Sequence, residues 1–172
     1  MMISIKKAGR ILAACKRWAG KLIRTSAACI RSAGKFIRYP AALKLLCIRV
    51  FLLAAYYKLL ITFRPFSKIA GRLGQMNLIS PEEPVEGGAR ERVLLVRRAI
   101  RAVIPKMHLS NECLVAAFTA KRILVNVPMT VYMGVAKKDG GKMSAHAWTR
   151  SGNIFVTGEE GRERFTVTAT FA

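Results

Sequence analysis

Apolar residues recur along this chain with two periods, helical up to Pro128 and alternating beyond it. Residues 41–63, AALKLLCIRVFLLAAYYKLLITF, are apolar almost throughout, yet Lys44, Arg49 and Lys58 interrupt them, and the longest uncharged run, Val50 to Tyr57, is eight residues. A membrane span needs about 20, so this stretch predicts a buried or interfacial helix stopping before Pro65. A short helix from Phe66 to Leu73, ended by Gly74, follows. Val93, Leu94, Val96, Ile100, Val103 and Ile104 share one helical arc over residues 89–104, with Arg90, Arg97, Arg98 and Arg101 on the other and Pro105 as terminator. A further helix runs over residues 110–124, with Ser110 as N-cap and Asn111, Glu112 and Cys113 as its first three positions. Past Pro128 the alternation predicts strands over residues 129–135, 142–150, 153–157 and 165–171. Helices followed by an antiparallel meander make an α+β fold.

Residues 7–38 hold a repeat of their own: KAGRILAACKRWAG, KLIRTSAACIRSAG and a partial KFIRYPAA, with eight of fourteen positions identical between the first two copies. Its period of two heptads stacks Arg10, Arg17, Arg24, Arg31 and Arg38 along one side of a helix. Ile11, Leu12, Cys15, Trp18, Leu22, Ile23, Cys29, Ile30, Phe36 and Ile37 take the opposite arc. Such a basic amphipathic helix reads as an element for an anionic membrane surface, or as a helix packed on its own domain with a solvated charged face. Gly9, Gly20 and Gly34 each weaken it by ~1 kcal/mol relative to Ala.

Charge sharpens the division. The 172 residues carry 30 Lys and Arg against 9 Asp and Glu, net +21, and every acid lies at or after Glu82. The first 81 residues are therefore acid-free, and the junction at residues 77–88 contains two prolines and a Gly pair. Three regions follow: 1–40, the basic extension; 41–81, helical; and 82–172, the part able to do chemistry. With 52% apolar residues the chain is too hydrophobic for a disordered polycation. Cys15, Cys29, Cys47 and Cys113 form no C-x-x-C pair and follow no secretory signal, which fits a reducing cytoplasmic setting, with the extension able to hold the protein peripherally at the inner face of the membrane. No nucleic-acid motif appears and aromatics are 8%, so nucleic acid is a poor candidate partner; a noncatalytic basic module on membrane or nucleic acid is the competing class.

Cys113 and His146 are the residues with chemistry to offer. A thiol in the first helical turn feels the positive end of the dipole and unpaired N–H groups, which favour thiolate; the alternative is a buried structural cysteine. On the second strand Ser144, His146 and Trp148 share one face. A helix-start Cys and a strand His that packs against it are the nucleophile and base of thiol acyl transfer, provided that a third group holds the imidazole. Two histidines and no Cys pair leave no closed zinc site, and no phosphate-cradling glycine loop is present, so neither a metal nor another cofactor is expected.

The runs ECLVAAFTAKRIL from Glu112, MTVYMGV from Met129, SAHAW from Ser144 and VTGEEGRERFTVTATF from Val156 resemble, in order, the lasso peptide biosynthesis leader peptidases. These are the protease half of split B proteins, within the transglutaminase-like and papain-like cysteine protease superfamily. RPFSKIAGRLG from Arg64 and RVLLVRRAIRAV from Arg92 extend the resemblance over residues 45–172. It implies N-terminal helices followed by a transglutaminase/papain-like core in which the nucleophile helix packs on a small antiparallel sheet. It also implies a bacterial, cytoplasmic enzyme that removes the leader from a lasso precursor, with a leader-binding partner protein and an ATP-dependent macrolactam cyclase. By position Cys113 matches the nucleophile and His146 the base. The family's acid falls about a dozen residues past the His, where this chain has Gly158. A two-residue turn at Ser151-Gly152 would pair Arg150 with Asn153 and His146 with Thr157, placing Glu159 diagonal to His146 and turning Gly158 away. Glu159 is thus the expected orienter, with Thr157 or Asn153 as neutral substitutes. The Cys113 backbone N–H is the expected oxyanion donor. A thiol acyltransferase on the same fold is the alternative reaction.

Overall fold

The computed structural model describes residues 40–137 and 140–172, so the basic repeat, with Cys15 and Cys29, lies outside the described residues. The apolar stretch after Pro40 forms one uninterrupted helix, α1 (Ala41–Phe63). It stops where the residue before Pro65 is steered out of the helical region. A single turn, α2 (Phe66–Ile69), and a 3-10 turn (Ala70–Leu73) close at Gly74, as the spacing predicts. One stripe of α1, Cys47, Val50, Ala54 and Tyr57, is buried, and the Tyr57 ring stacks on Phe118 with centroids 5.1 Å apart. Its spacing of three and four residues makes it one face of the helix. Burial pushes both the Cys47 thiol and the Tyr57 hydroxyl above their usual pKa.

Helix α3 (Gly87–Val103) buries Val93, Val96, Ala99 and Ile100, and Pro105 lies in the 3-10 turn (Ile104–Met107) that follows. Helix α4 (Glu112–Ile123) is the inner helix: Val115 to Ala120 are all buried. Its short side chains, Ala116, Ala117 and Ala120, let it lie close to the sheet, where it packs on the second and third strands. Each fully buried Val or Phe here contributes about 1.5–3 kcal/mol of transfer free energy.

The sheet comprises β1 (Thr130–Lys137), β2 (Met143–Ser151), β3 (Ile154–Thr157) and β4 (Thr166–Phe171), all antiparallel, in the order β3-β2-β1-β4. The fold is α+β, as expected, but only the first three strands form a meander; β4 returns across the sheet to pair with the free edge of β1. The hairpin register also differs from the expected one. Ser151 pairs with Ile154 and Arg150 with Phe155, after which an irregularity brings Thr157 opposite Thr149. The extra residue turns Thr157 onto the Thr149 face, where the two hydroxyls meet at 3.0 Å, so the expected His146–Thr157 pair does not form.

The proline- and glycine-rich junction does not separate two units. Leu45–Ala172 is one compact unit, and the junction is a strap laid on the sheet. Gln75 and Ala172 exchange backbone hydrogen bonds, Asn77 N–H donates to Thr170, and Ser80 N–H donates to Thr130 Oγ1. Buried Arg150 completes it, donating to the carbonyls of Ser80, Pro81 and Gly152 and to the Tyr132 hydroxyl, and pairing with Glu82 at 3.1 Å. A buried guanidinium requires such a full set of acceptors; here most of them are strap and turn carbonyls.

Candidate active site

Cys113 is the second residue of α4 and half-buried. The helix start is built differently from the expected cap. Asn111, at φ +64°, is the N-cap, and its carbonyl accepts the first helical hydrogen bond, from Val115, at 3.1 Å. Ser110 is instead engaged by Lys58 of α1, whose ammonium donates to both its hydroxyl and its carbonyl. Burial lowers the pKa of Lys58. The N–H groups of Glu112, Cys113 and Leu114 have no acceptor within the helix, which is the usual condition of a first turn.

His146 lies on β2 directly opposite Gly134 of β1. Its ring stacks with Trp148, at 5.8 Å between centroids, and tilts against Phe165 at 5.0 Å. A Cβ on Gly134 would come within 3.0 Å of the Trp148 ring and of Phe165 Cβ, and within 2.9 Å of the Thr166 carbonyl, so a glycine there is what allows the three rings to gather. Trp148 and Phe165 in turn wall an open cleft of about 490 Å3 that also presents Tyr132, Phe155, Arg150 and Arg162. The Arg162 guanidinium lies 4.2 Å over the Phe155 ring.

The imidazole has a partner that the sequence did not disclose. His146 Nε2 lies 2.9 Å from the backbone carbonyl of Gly158. A carbonyl can only accept, so Nε2 carries the proton and Nδ1 of the neutral ring keeps its lone pair. The chain presents that carbonyl through a left-handed turn: Gly158 has φ +66°, and a Cβ there would fall 2.4 Å from the Ala147 carbonyl oxygen and 2.9 Å from Trp148 Cβ.

Glu159, the expected orienter, is taken by other groups. Arg97 and Arg101 of α3 both bind its Oε2, at 2.7 and 3.2 Å. The β3 irregularity that displaces Thr157 also carries the following turn past the expected diagonal. Asn153 lies in the turn between β2 and β3, exposed. The structure thus brings His146 together with Gly158 and separates Glu159 into a charge cluster. α4 packs on the strand that carries His146, while among the described residues no hydrogen bond joins Cys113 to His146.

Residues 56–170 match the family described as the transglutaminase-like superfamily. The chain belongs to that superfamily. No curated protein and no solved structure matches it. Transglutaminase-like proteins are usually cysteine peptidases or acyltransferases, and the matched span contains Cys113, His146 and Gly158 together with the strap, β1 to β3 and all but the last residue of β4. At the position where the sequence resemblance leads one to expect an acid, this transglutaminase-like domain presents His146 with a main-chain acceptor, the Gly158 carbonyl. Sequence reasoning missed it because it searched for a side chain; the one available signal was a glycine standing where the carboxylate is expected.

Proposed function

We propose that this protein is a cysteine peptidase that removes the leader from a lasso peptide precursor, with Cys113 as nucleophile, His146 as general base and acid, and the Gly158 carbonyl as orienter. The observation that carries the reading is the His146 Nε2–Gly158 hydrogen bond at the spacing of the family's acid, on a strand that packs against the Cys113 helix. Membership in the transglutaminase-like superfamily supports thiol acyl transfer; the ordered sequence resemblance supports the leader peptidase assignment.

The step balances without a cofactor. Cys113 sulfur, its proton passed to His146, attacks the scissile carbonyl carbon, and the C–N bond breaks as the imidazolium protonates the leaving amine. Water deprotonated by His146 then attacks the thioester, releasing the leader's new carboxylate and restoring the thiol. Unpaired first-turn N–H groups at Glu112 and Cys113 are of the kind that stabilise an oxyanion. The aromatic cleft beside His146, with its two guanidiniums, suits an extended peptide. A leader-binding partner would deliver the precursor, and an ATP-dependent macrolactam cyclase would take the released core.

The test is mass spectrometry of a candidate precursor incubated with this protein and its leader-binding partner. Cleavage at one peptide bond is expected, with none for Cys113→Ala. Cleavage that survives Cys113→Ala defeats the proposal. Transfer of the acyl group to an added primary amine in place of hydrolysis would assign the acyltransferase reaction instead.

A further inference from the structure

Helix α1 is apolar over most of its surface, and among the described residues only one side of it is covered. Opposite the buried stripe of Cys47, Val50, Ala54 and Tyr57, a second stripe faces outward: Leu45 (69% exposed), Ile48, Leu52 (61%), Leu59 and Phe63. Its spacings of three, four and seven residues make it continuous along the whole helix. Isolated exposed leucines are ordinary, but an uninterrupted apolar row of this length on a domain surface marks a contact site.

The surroundings of the row select the contact. Leu45, Ile48, Arg49, Leu52, Leu53 and Arg122 line one shallow groove, so two guanidiniums border the apolar row. Neither has an acidic partner among the described residues. Arg64 and Lys68 are exposed just beyond the helix end, and no acid occurs before Glu82. By length and composition α1 could cross a membrane, but its inner face is stacked on Phe118 through Tyr57 and tied to Ser110 through Lys58. A helix held in that way can offer a bilayer only its outer side. Apolar side chains centred on one face and cations at its edge are the pattern of a helix lying in the headgroup region, the row entering the acyl boundary and the cations meeting lipid phosphates.

We propose that the outward face of α1 docks this protein on an anionic lipid bilayer, with the helix parallel to the membrane plane. The inference is independent of the protease reading. Residues 7–38 carry a basic repeat of their own, so the test has to separate its contribution from that of α1.

The experiment is co-sedimentation of the full chain with phosphatidylcholine vesicles, with and without about a third phosphatidylglycerol. Binding to the anionic vesicles, weakened by raised salt, is expected, with at least roughly tenfold loss for each of Leu45→Glu and Leu52→Glu. Met143→Glu, exposed on β2, should bind as the unmodified chain does. Circular dichroism melting verifies that the variants fold. Leu52→Trp, which retains an apolar side chain, should show with anionic vesicles only a blue shift in the emission it adds over that of the unmodified chain, whose Trp18 and Trp148 also emit. Binding unchanged in Leu45→Glu/Leu52→Glu would assign it to the repeat alone and overturn the proposal. So would an added Leu52→Trp emission that does not shift, or a chain that self-associates through this row and ignores vesicles. Precursor cleavage without vesicles should be the same for the Leu45 and Leu52 variants and the unmodified chain, so the two proposals fail separately.

Discussion

Replacing Gly158 by aspartate supplies, on paper, the acid that the resemblance to the leader peptidases leads one to expect about a dozen residues after His146; in this structure it should do the opposite. A side chain at φ +66° costs about 1–2 kcal/mol of left-handed strain. The new Cβ would also stand 2.4 Å from the Ala147 carbonyl oxygen. That is backbone within β2 and cannot rotate away, which adds about 1–3 kcal/mol of overpacking. The sum, about 2–5 kcal/mol, corresponds to a melting temperature lower by roughly 10 °C for a chain of this size. Relief of the overlap requires moving the turn, and the Gly158 carbonyl moves with it, releasing His146 Nε2. A ring free to take the other tautomer loses activity, at most by the roughly 10^4-fold known for a triad with the wrong tautomer, and we expect at least tenfold. Thermal denaturation by circular dichroism and kcat/KM on the precursor measure the two effects, with Gly158→Ala separating strain from charge. A Gly158→Asp variant that melts with the unmodified protein and cleaves as fast or faster would refute the reasoning, since the carboxylate would then be the better orienter.

Three further outcomes follow from the same geometry. Glu159→Gln loses a half-exposed ion pair with Arg97 and Arg101, so stability should fall by only about 0–1 kcal/mol and kcat should stay within about threefold; a hundredfold loss would return Glu159 to the role of orienter. Gly134→Ala drives a methyl into Trp148 and Phe165 and should cost about 1–3 kcal/mol and lower kcat more than it alters KM, as read by steady-state kinetics. In limited alkylation at mildly alkaline pH with peptide mapping, the Cys113 peptide should be modified before that of Cys47, whose thiol is 3% exposed and pushed up by burial; the reverse order would place the Cys113 sulfur in the hydrophobic interior.

Period was the part of the fold that the sequence carried well. The end of α1 before Pro65, the close of the next turn at Gly74, the buried arc of α3 and all four strands follow from spacing and breakers. Register was carried poorly, because one extra residue in β3 leaves the hydrophobic alternation almost intact while reversing which side chains share a face. The expected placement of Glu159 diagonal to His146 depended on that register and went with it. The junction at residues 77–88 misled for a different reason. Proline and glycine report that a segment is neither helix nor inner strand, and they are silent on whether it leaves the domain or is bound along it. Besides its backbone bonds to β4 and the end of the chain and the Ser80–Thr130 contact, what binds it is an arginine on β2, whose solvated alternative looks identical in the sequence. The cap of α4 was misplaced because a serine hydroxyl serves a lysine on a distant helix as readily as its own backbone.

The Arg150 anchorage has a practical corollary. Residues 81–84 of the strap are exposed, and the carbonyls that Arg150 holds all lie upstream of Glu83 or within its own hairpin. A nick at Glu83 should therefore leave two fragments that copurify under native conditions and part only in denaturant, like a broken link kept closed by its clasp.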